Sequence, residues 1–300
     1  MTEQTTSKGV SAGRERVLLG AVLVAAAGLM FALAGMAIKI AGAHLASVEV
    51  LFWRNVLSLA ILMPWILWRW PRSLRPEHGG LMAMRGVAVV ASLLCYYYAV
   101  KALPLAEAVL LNFSSPIFVP LLGFLLFRFA LDRKVLLAVA VGFVGVALIL
   151  KPGTDFFRPD ALIGLASGAL GGLAAVAVWR MPAKESPVRI AVFFALIGIL
   201  ITTGPALVAN PALLPPADAW PALAMLGLFS TAAHILFARG CLVAPADRVS
   251  PLDYTAVFFA AALGWLIWGE GVDGFTAAGT ALIVVGGVIA IRAGRRDSEA

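Results

Sequence analysis

Long apolar runs alternate with short polar segments along the whole chain. Ten such runs occur, at residues 17–40, 48–68, 81–100, 106–127, 135–150, 161–179, 188–208, 219–238, 252–268 and 275–291. An α-helix of about 20 apolar residues crosses the roughly 30 Å hydrocarbon core of a bilayer. Each run therefore predicts one membrane-spanning helix. The run at 135–150 is short for a span, but we keep it because its counterpart in the second half of the chain is the run at 275–291.

The pattern of the first half recurs in the second half at a constant offset of 141 residues. Identical or similar residues recur at this offset: Lys39 with Arg180, Phe52 with Phe193, Pro64 with Pro205, Gly86 with Gly227, Pro104 with Pro245 and Gly145 with Gly286. Five predicted spans fall in each half, and an odd number of spans turns the second copy upside down relative to the first. The predicted units are a polar tail at 1–16, a first repeat at 17–150, a second repeat at 158–292 and a polar tail at 293–300.

Composition and charge place the chain in a membrane with a defined orientation. Its residues are 62% hydrophobic and 13% charged, whereas about 25% of the residues in a soluble domain are charged. With the N-terminus in the cytoplasm, most of the 23 basic residues, Arg85 included, fall on the cytoplasmic side, and Lys101, Lys151 and Arg158 fall outside. Cytoplasmic loops are enriched in Lys and Arg, so we predict cytoplasmic termini and a bacterial inner membrane. The net charge of +7 is then a topology signal, and no nucleic-acid partner is predicted.

Several short motifs carry a family resemblance. In the second half they are Leu263, Gly264, Gly269, Glu270, Gly279, Gly286 and Gly287, and in the first half Lys39, Arg54, Ala102, Pro116, Gly142, Gly145 and Val146. From about residue 17 to 292 the chain resembles the EamA-like ten-span exporters of the drug/metabolite transporter superfamily. It departs from that pattern at Phe129, the position equivalent to Glu270. The resemblance implies an all-α protein whose two inverted five-helix repeats enclose a central cavity, and export of small metabolites such as amino acids.

Charged residues within predicted spans are costly and therefore informative. Five charged residues lie within or just beyond predicted spans in the predicted outer half of the membrane: Lys39, Glu49, Arg54, Glu107 and Glu270. We expect them to form ion pairs near an outer vestibule that are made in one access state and broken in the other. Anchoring of these charges in the lipid headgroups is the alternative reading.

Polar and aromatic residues nearer the midplane are the expected lining of a substrate cavity. They are Asn112, Ser114 and Ser115 in the fourth span, Ser230 and His234 in the eighth, Tyr254 in the ninth, Tyr97 in the third and Trp179 in the sixth. Interface anchoring is the alternative for Tyr97 and Trp179, and simple packing is the alternative for His234.

Two prolines, Pro116 and Pro120, fall inside the fourth span and predict a hinge or a static kink, because proline removes backbone hydrogen bonds. The aligned residues of the second half are Val257 and Ala261, so we expect any such hinge in the first half alone.

The function predicted from these features is export of amino acids, large neutral or aromatic ones above all, or of similar small metabolites by alternating access. No Asp or Glu is expected deep in a span, so facilitated diffusion, exchange and proton antiport all stay open, with His234 as the proton carrier in the last case. Export of lipophilic cationic drug-like compounds is the alternative, and a channel or an intramembrane enzyme is less favoured. The expected partners are a small-molecule substrate and the bilayer, with a monomer favoured; neither a cofactor nor a metal is predicted.

Overall fold

The computed structural model describes residues 2–68, 79–127, 133–150, 158–179, 187–244 and 250–294. The α-helices in this part of the chain are α1 (Thr2–Ala41), α2 (Ser47–Trp68), α3 (Gly79–Ala102), α4 (Leu105–Asn112), α5 (Ser115–Phe127), α6 (Arg133–Leu150), α7 (Asp160–Trp179), α8 (Pro187–Ala209), α9 (Trp220–Val243), α10 (Thr255–Trp268) and α11 (Gly274–Gly294). Short 3-10 turns precede α9 and α10, at Ala217–Ala219 and Ser250–Tyr254. The described residues contain no strand.

Length and composition make this a membrane protein. Six helical segments among the described residues are long and apolar enough to cross a bilayer: Arg16–Ala41, Ser47–Pro64, Ala83–Ala102, Leu105–Leu126, Val192–Ala209 and Ala217–Cys241. Four shorter apolar helices accompany them: Leu136–Leu150, Asp160–Val176, Leu252–Trp268 and Gly274–Ile289. Large apolar side chains also cover the outside of the bundle, for example Leu200 and Val208, which are 78% and 86% exposed. A surface of this kind is suited to lipid and not to water. The chain is therefore an integral membrane protein.

The helices of the two halves pack against each other in a reciprocal pattern. At the 141-residue offset, α1 corresponds to α7, α2 to α8, α3 to α9, the α4–α5 segment to α10, and α6 to α11. The first helix of each half packs on the third helix of the other half, as α1 on α9 and α7 on α3. The pairs α2 with α8, α4 with α10, and α6 with α11 join equivalent helices. Exchanging the two halves leaves this set of contacts unchanged.

Small residues bring these helices close together, as expected where lipid offers no hydrophobic drive for helix association. Gly145 of α6 and Gly279 of α11 lie against each other. A methyl group built on Gly145 would lie 2.7 Å from the carbonyl oxygen of Gly279, and one built on Gly279 would lie 2.6 Å from the carbonyl oxygen of Gly145. Glycine is therefore required at both positions for this backbone contact.

The fourth predicted span is broken between α4 and α5, at Phe113 and Ser114. The Ser114 hydroxyl donates a 2.6 Å hydrogen bond to the carbonyl oxygen of Leu111, which also accepts a 3.3 Å bond from the backbone N–H of Ser114 at this helix end. Pro116 occupies the first turn of α5, where a missing N–H removes no intrahelical bond, so it starts a helix and does not bend one. Pro120 lies inside α5.

The second half is also irregular near the equivalent place. Its 3-10 turn at Ser250–Tyr254 precedes α10 and adjoins the position equivalent to the α4–α5 break. Pro251 lies in this turn, as Pro116 lies in the first turn of α5, so a proline accompanies each irregularity. Each of these segments also packs against the first helix of the other half, α4 and α5 against α7 and the 3-10 turn against α1.

Candidate functional site

A cavity of about 430 Å³ opens between α3, α7, α9 and the break that separates α4 from α5. Its lining residues are Arg85, Val89, Ser92, Leu93, Asn112, Ser115, Gly171, Ala174, Ala175 and His234. Three of the residues expected in such a cavity are here: Asn112, Ser115 and His234. This volume is within the range of about 300–1,000 Å³ that is common for small-molecule sites.

A short hydrogen-bond network organises one wall of this cavity. The Asn112 side-chain amide donates a 3.2 Å hydrogen bond to the Ser167 hydroxyl, which donates a 2.6 Å bond to the carbonyl oxygen of Gly164. The Ser92 hydroxyl donates a 2.7 Å bond to the carbonyl oxygen of Ser167. These bonds hold the Asn112 side chain in one orientation, so the polar part of the wall is preorganised.

His234 presents one ring nitrogen that is free to bind. Its Nδ1 lies 2.6 Å from the carbonyl oxygen of Ser230, and because a carbonyl can only accept, Nδ1 carries the proton. In the neutral ring Nε2 is then an acceptor. The side chain is exposed although it lies deep within the bundle, because it lines the open cavity. Phe31 packs edge-on against the imidazole, with the ring centroids 5.2 Å apart.

Arg85 also lines the cavity, although the sequence pattern does not single it out. The positive-inside count places it in a cytoplasmic connection, whereas it belongs to α3, is half-buried and lines the cavity. Its Nε atom is buried and has no hydrogen-bond partner. The signal was present in the sequence, because Arg85 lies inside the apolar run at 81–100. An arginine with unused donors in a cavity wall is a ready site for a carboxylate.

Four of the other expected lining residues lie outside this cavity lining. Ser114 is fully buried and bonded to Leu111, and Ser230 is 5% exposed, with its hydroxyl 3.4 Å from the carbonyl oxygen of Gly227. Tyr97 and Tyr254 are 2% and 7% exposed and belong to the main apolar core, so Tyr97 is not an interface anchor either. Trp179 ends α7, and its side chain is outside what the structure describes. Apolarity alone does not distinguish a core-facing tyrosine from a lipid-facing one.

Charged residues close the opposite end of the bundle. Lys39, near the end of α1, forms an ion pair with Glu270, and both side chains are largely buried, at 15% and 18% exposure. The Lys39 ammonium also donates a 3.1 Å hydrogen bond to the carbonyl oxygen of Leu103 and lies 5.0 Å from the centre of the Trp268 ring. The second Glu270 oxygen accepts a 2.7 Å bond from the backbone N–H of Leu105, the first residue of α4.

We call this set of contacts the Lys39–Glu270 clasp. It joins α1, the N-terminus of α4 and the segment between α10 and α11. A cleft of only about 10 Å³ remains beside it, lined in part by Glu107 and Thr276. The bundle is therefore open on the Arg85 side and closed on the Glu270 side.

The remaining charged candidates have separate roles in the structure. Glu49 accepts a 2.8 Å hydrogen bond from the backbone N–H of Ala46 at the start of α2, and Glu107 accepts a 3.2 Å bond from the Thr276 hydroxyl. Arg54 is 5% exposed and lies deep between α2 and α8. Its guanidinium donates a 3.1 Å bond to the Asn55 side chain and lies 5.0 Å from the centre of the Phe194 ring. Arg54 is thus buried against an amide and an aromatic ring, away from the clasp.

A helical membrane bundle with a polar cavity open to one side and sealed by an ion pair at the other has the architecture of a membrane transport protein. Comparison with known proteins agrees. The model of the EamA-like transporter family matches twice, at residues 18–151 and 159–292, and the chain belongs to this family.

Individual relatives are also transporters. The chain is 29% identical over 269 residues to a pseudopaline exporter of Pseudomonas aeruginosa, an alignment that covers 89% of this chain and 93% of the relative. It is 28% identical over 151 residues to a riboflavin transporter of Brucella anthropi, which covers 50% of this chain and 53% of the relative. An S-adenosylmethionine uptake transporter of Rickettsia felis is 23% identical over 164 residues, covering 55% and 56%. One crystal structure shares the fold, with a TM-score of 0.60 at 21% identity over 92% of this chain and 98% of that one.

Proposed function

We propose that this transporter exports small metabolites that carry a carboxylate, with large neutral or aromatic amino acids as the first class to test. Arg85 is the observation that carries the proposal, because its buried Nε has no partner and its side chain lines the cavity. A substrate carboxylate would supply the missing acceptor. A buried guanidinium without one loses hydrogen-bond energy that a bound anion restores.

The rest of the cavity fits a compact molecule with one polar and one apolar end. Asn112, Ser115 and His234 supply hydrogen-bonding groups, while Val89 and Leu93 supply apolar surface. The lining residues include one arginine, one histidine and neither Asp nor Glu. Such a lining favours an anionic group over a lipophilic cation, for which an acid or an open aromatic face would be expected.

Transport would follow the alternating opening of two inverted repeats, at 17–150 and 158–292. The reciprocal helix contacts support this arrangement, because they are unchanged when the halves are exchanged. With cytoplasmic termini in a bacterial inner membrane, the cavity of this state faces the cytoplasm and the clasp seals the outside. A substrate bound at Arg85 would then leave after the clasp opens. The similarity to a pseudopaline exporter supports this direction.

The first experiment measures uptake into liposomes that contain the purified protein. L-phenylalanine is compared with phenethylamine, which keeps the ring and the ammonium but lacks the carboxylate, and with tetraphenylphosphonium. We expect saturable uptake of L-phenylalanine that other carboxylate-bearing amino acids suppress and phenethylamine does not. Uptake of phenethylamine or tetraphenylphosphonium in preference to L-phenylalanine would contradict the carboxylate site and favour export of cationic compounds.

A further inference from the structure

We propose that Asp253 is the proton-binding site that couples export to the proton gradient. The inference rests on the proposed transport function and adds a coupling residue to it. Asp253 belongs to the 3-10 turn at Ser250–Tyr254 that precedes α10.

Unsatisfied polar atoms are concentrated at this turn. The buried side-chain atoms without a hydrogen-bond partner in the described residues belong to Arg54, Asn55, Arg85, Asp253, Tyr254 and Thr255. Three consecutive residues where the turn meets α10, Asp253, Tyr254 and Thr255, therefore contribute a carboxylate oxygen and two hydroxyl oxygens to an apolar bundle. A buried polar group without a hydrogen-bond partner costs free energy. We therefore expect such a group to find its partner in another conformational state or in a ligand.

The repeat relates this turn to a segment of the first half that lines the open cavity. At the 141-residue offset, Asp253, Tyr254 and Thr255 correspond to Asn112, Phe113 and Ser114, the residues at the α4–α5 break. The two irregular segments meet inside the bundle, where the rings of Phe113 and Tyr254 lie with their centroids 6.4 Å apart. Asn112 lines the open cavity in the present state, and Asp253 is its counterpart in the closed half.

Exchanging the conformations of the two halves gives the lining of the opposite state. Asp253 then replaces Asn112, and Leu226 replaces Arg85, while His234 stays in the lining because its counterpart Leu93 already lines the cavity. The arginine leaves the cavity and a carboxylate enters it. A substrate carboxylate therefore meets a positive wall on the cytoplasmic side and an acid on the external side, which favours its release outside.

Few other charges face Asp253 in the described residues. The 3-10 turn packs against α1, α10 and α11. α10 carries no charged residue, and α11 has Arg292 in its last turn. In α1, the charged residues of the apolar segment Arg16–Ala41 are Arg16 and Lys39, near its two ends. The thiol of Cys241 on α9 is close enough to interact electrostatically with Asp253. Arg248, which is near Asp253 in sequence, is outside the described residues.

The coupling step involves one proton and no other bond. In the outward-open state the Asp253 carboxylate takes a proton from the external cavity as the substrate leaves. The resulting neutral acid returns to the buried position at a lower cost than a carboxylate would. In the inward-open state the higher pH of the cytoplasm draws the proton off, and the pH difference offsets the cost of leaving Asp253 as a buried carboxylate. The next substrate then binds at Arg85. One proton enters for each substrate exported.

The test compares Asp253→Asn with Asp218→Asn, which changes an exposed acid on the Ala217–Ala219 turn. Liposomes carry the protein, the membrane potential is held at zero, and L-phenylalanine is the probe. A gradient of about one pH unit drives about tenfold accumulation for one proton per substrate, because each tenfold ratio is worth about 1.4 kcal/mol. We expect D253N to lose this accumulation and to retain exchange of external for internal L-phenylalanine. D218N should behave as wild type. Accumulation by D253N equal to wild type, or accumulation that follows sodium and not pH, would overturn the proposal.

A second measurement needs no transport and separates this proposal from the proposed substrate. Infrared titration of the purified protein follows the C=O stretching band of protonated carboxylic acids. We expect one band that D253N removes and D218N keeps, whether or not L-phenylalanine is a substrate. If D253N does not fold, D253E takes its place, and the added methylene group should shift the band and its pH midpoint. A titrating band unchanged by either substitution would show that the proton sits elsewhere.

Discussion

At the scale of single residues, Arg85 is the lining residue on which the proposed carboxylate substrate depends most. It is half-buried, it lines the cavity, and its Nε lacks a protein partner. Neighbouring groups such as Asn112 are already held by protein hydrogen bonds, so they orient a ligand without demanding a particular charge. Arg85 alone in this lining selects for a negative group.

Replacing Arg85 by Gln keeps hydrogen-bond donors and removes the charge. We expect the half-saturation concentration for L-phenylalanine exchange to rise at least about tenfold, because hydrogen bonds to charged groups contribute about 1.5–3 kcal/mol. Arg133→Gln, at the exposed start of α6, is the matched control and should leave exchange unchanged. Equal effects of the two substitutions would mean that Arg85 acts through general charge and not through the site.

The Lys39–Glu270 clasp gives a second prediction at this scale. Glu270→Gln removes the ion pair but keeps an oxygen for the N–H of Leu105, whereas Glu270→Ala removes both. We expect melting temperatures in the order wild type, E270Q, E270A, because breaking a largely buried pair leaves a lysine without its partner and E270A also exposes the α4 N-terminus. Thermal unfolding in detergent measures this order. An E270A protein as stable as E270Q would show that the hydrogen bond from the Leu105 N–H to Glu270 does not stabilise the fold.

At the scale of helices, glycine decides where a broken segment can pass another helix. Gly168 of α7 faces the end of α4, and a methyl group built on it would lie 2.5 Å from the carbonyl oxygen of Leu111. In the other half, a methyl group on Gly28 of α1 would lie 2.9 Å from the backbone nitrogen of Ala256. Each irregular segment is therefore seated against a glycine contributed by the other half.

Gly168→Ala should destabilise the protein by about 1–3 kcal/mol, the usual cost of forcing extra volume into a packed interior. The measurement is the thermal or denaturant unfolding of the purified protein. Gly204→Ala in α8 is the control, because a methyl group there meets no atom within 4 Å. It should be neutral or slightly stabilising, since Ala favours helix over Gly. A G168A protein as stable as G204A would show that the α4–α5 break can relax away from α7.

At the scale of the whole molecule, the proposed inversion of the two repeats makes a prediction about sidedness. His44 lies in the α1–α2 connection, and Glu185 is its equivalent at the 141-residue offset. In an inverted repeat the same connection faces opposite sides of the membrane. His44→Cys should react with a membrane-impermeant maleimide in intact cells, and Glu185→Cys should react only after the membrane is opened. The background for both is a protein in which Cys95 and Cys241 are replaced by Ala. Labelling of both positions from the same side would rule out inversion.

The apolar runs and their repetition determined the membrane class, the helical content and the family resemblance from the sequence alone. The length of each apolar run is read directly from the sequence, and the constant offset between the two halves is detected without a structure. Glu270 and Lys39 could also be placed at one end of the bundle, because each lies near a predicted span end.

Tertiary structure alone decided which way each side chain faces. In a membrane both the lipid and the protein interior are apolar, so hydrophobicity does not mark the inward face of a helix as it does in water. For this reason the sequence leaves Tyr97 open to interpretation as an interface anchor, whereas the structure buries it. The sequence likewise allows Arg85 to be counted as a loop charge, whereas the structure places it in the cavity lining. The α4–α5 break, which corresponds to the Asp253 turn of the second half, likewise packs against Gly168 of the other half. The two partners of this contact are far apart in the sequence, so no local sequence pattern records it.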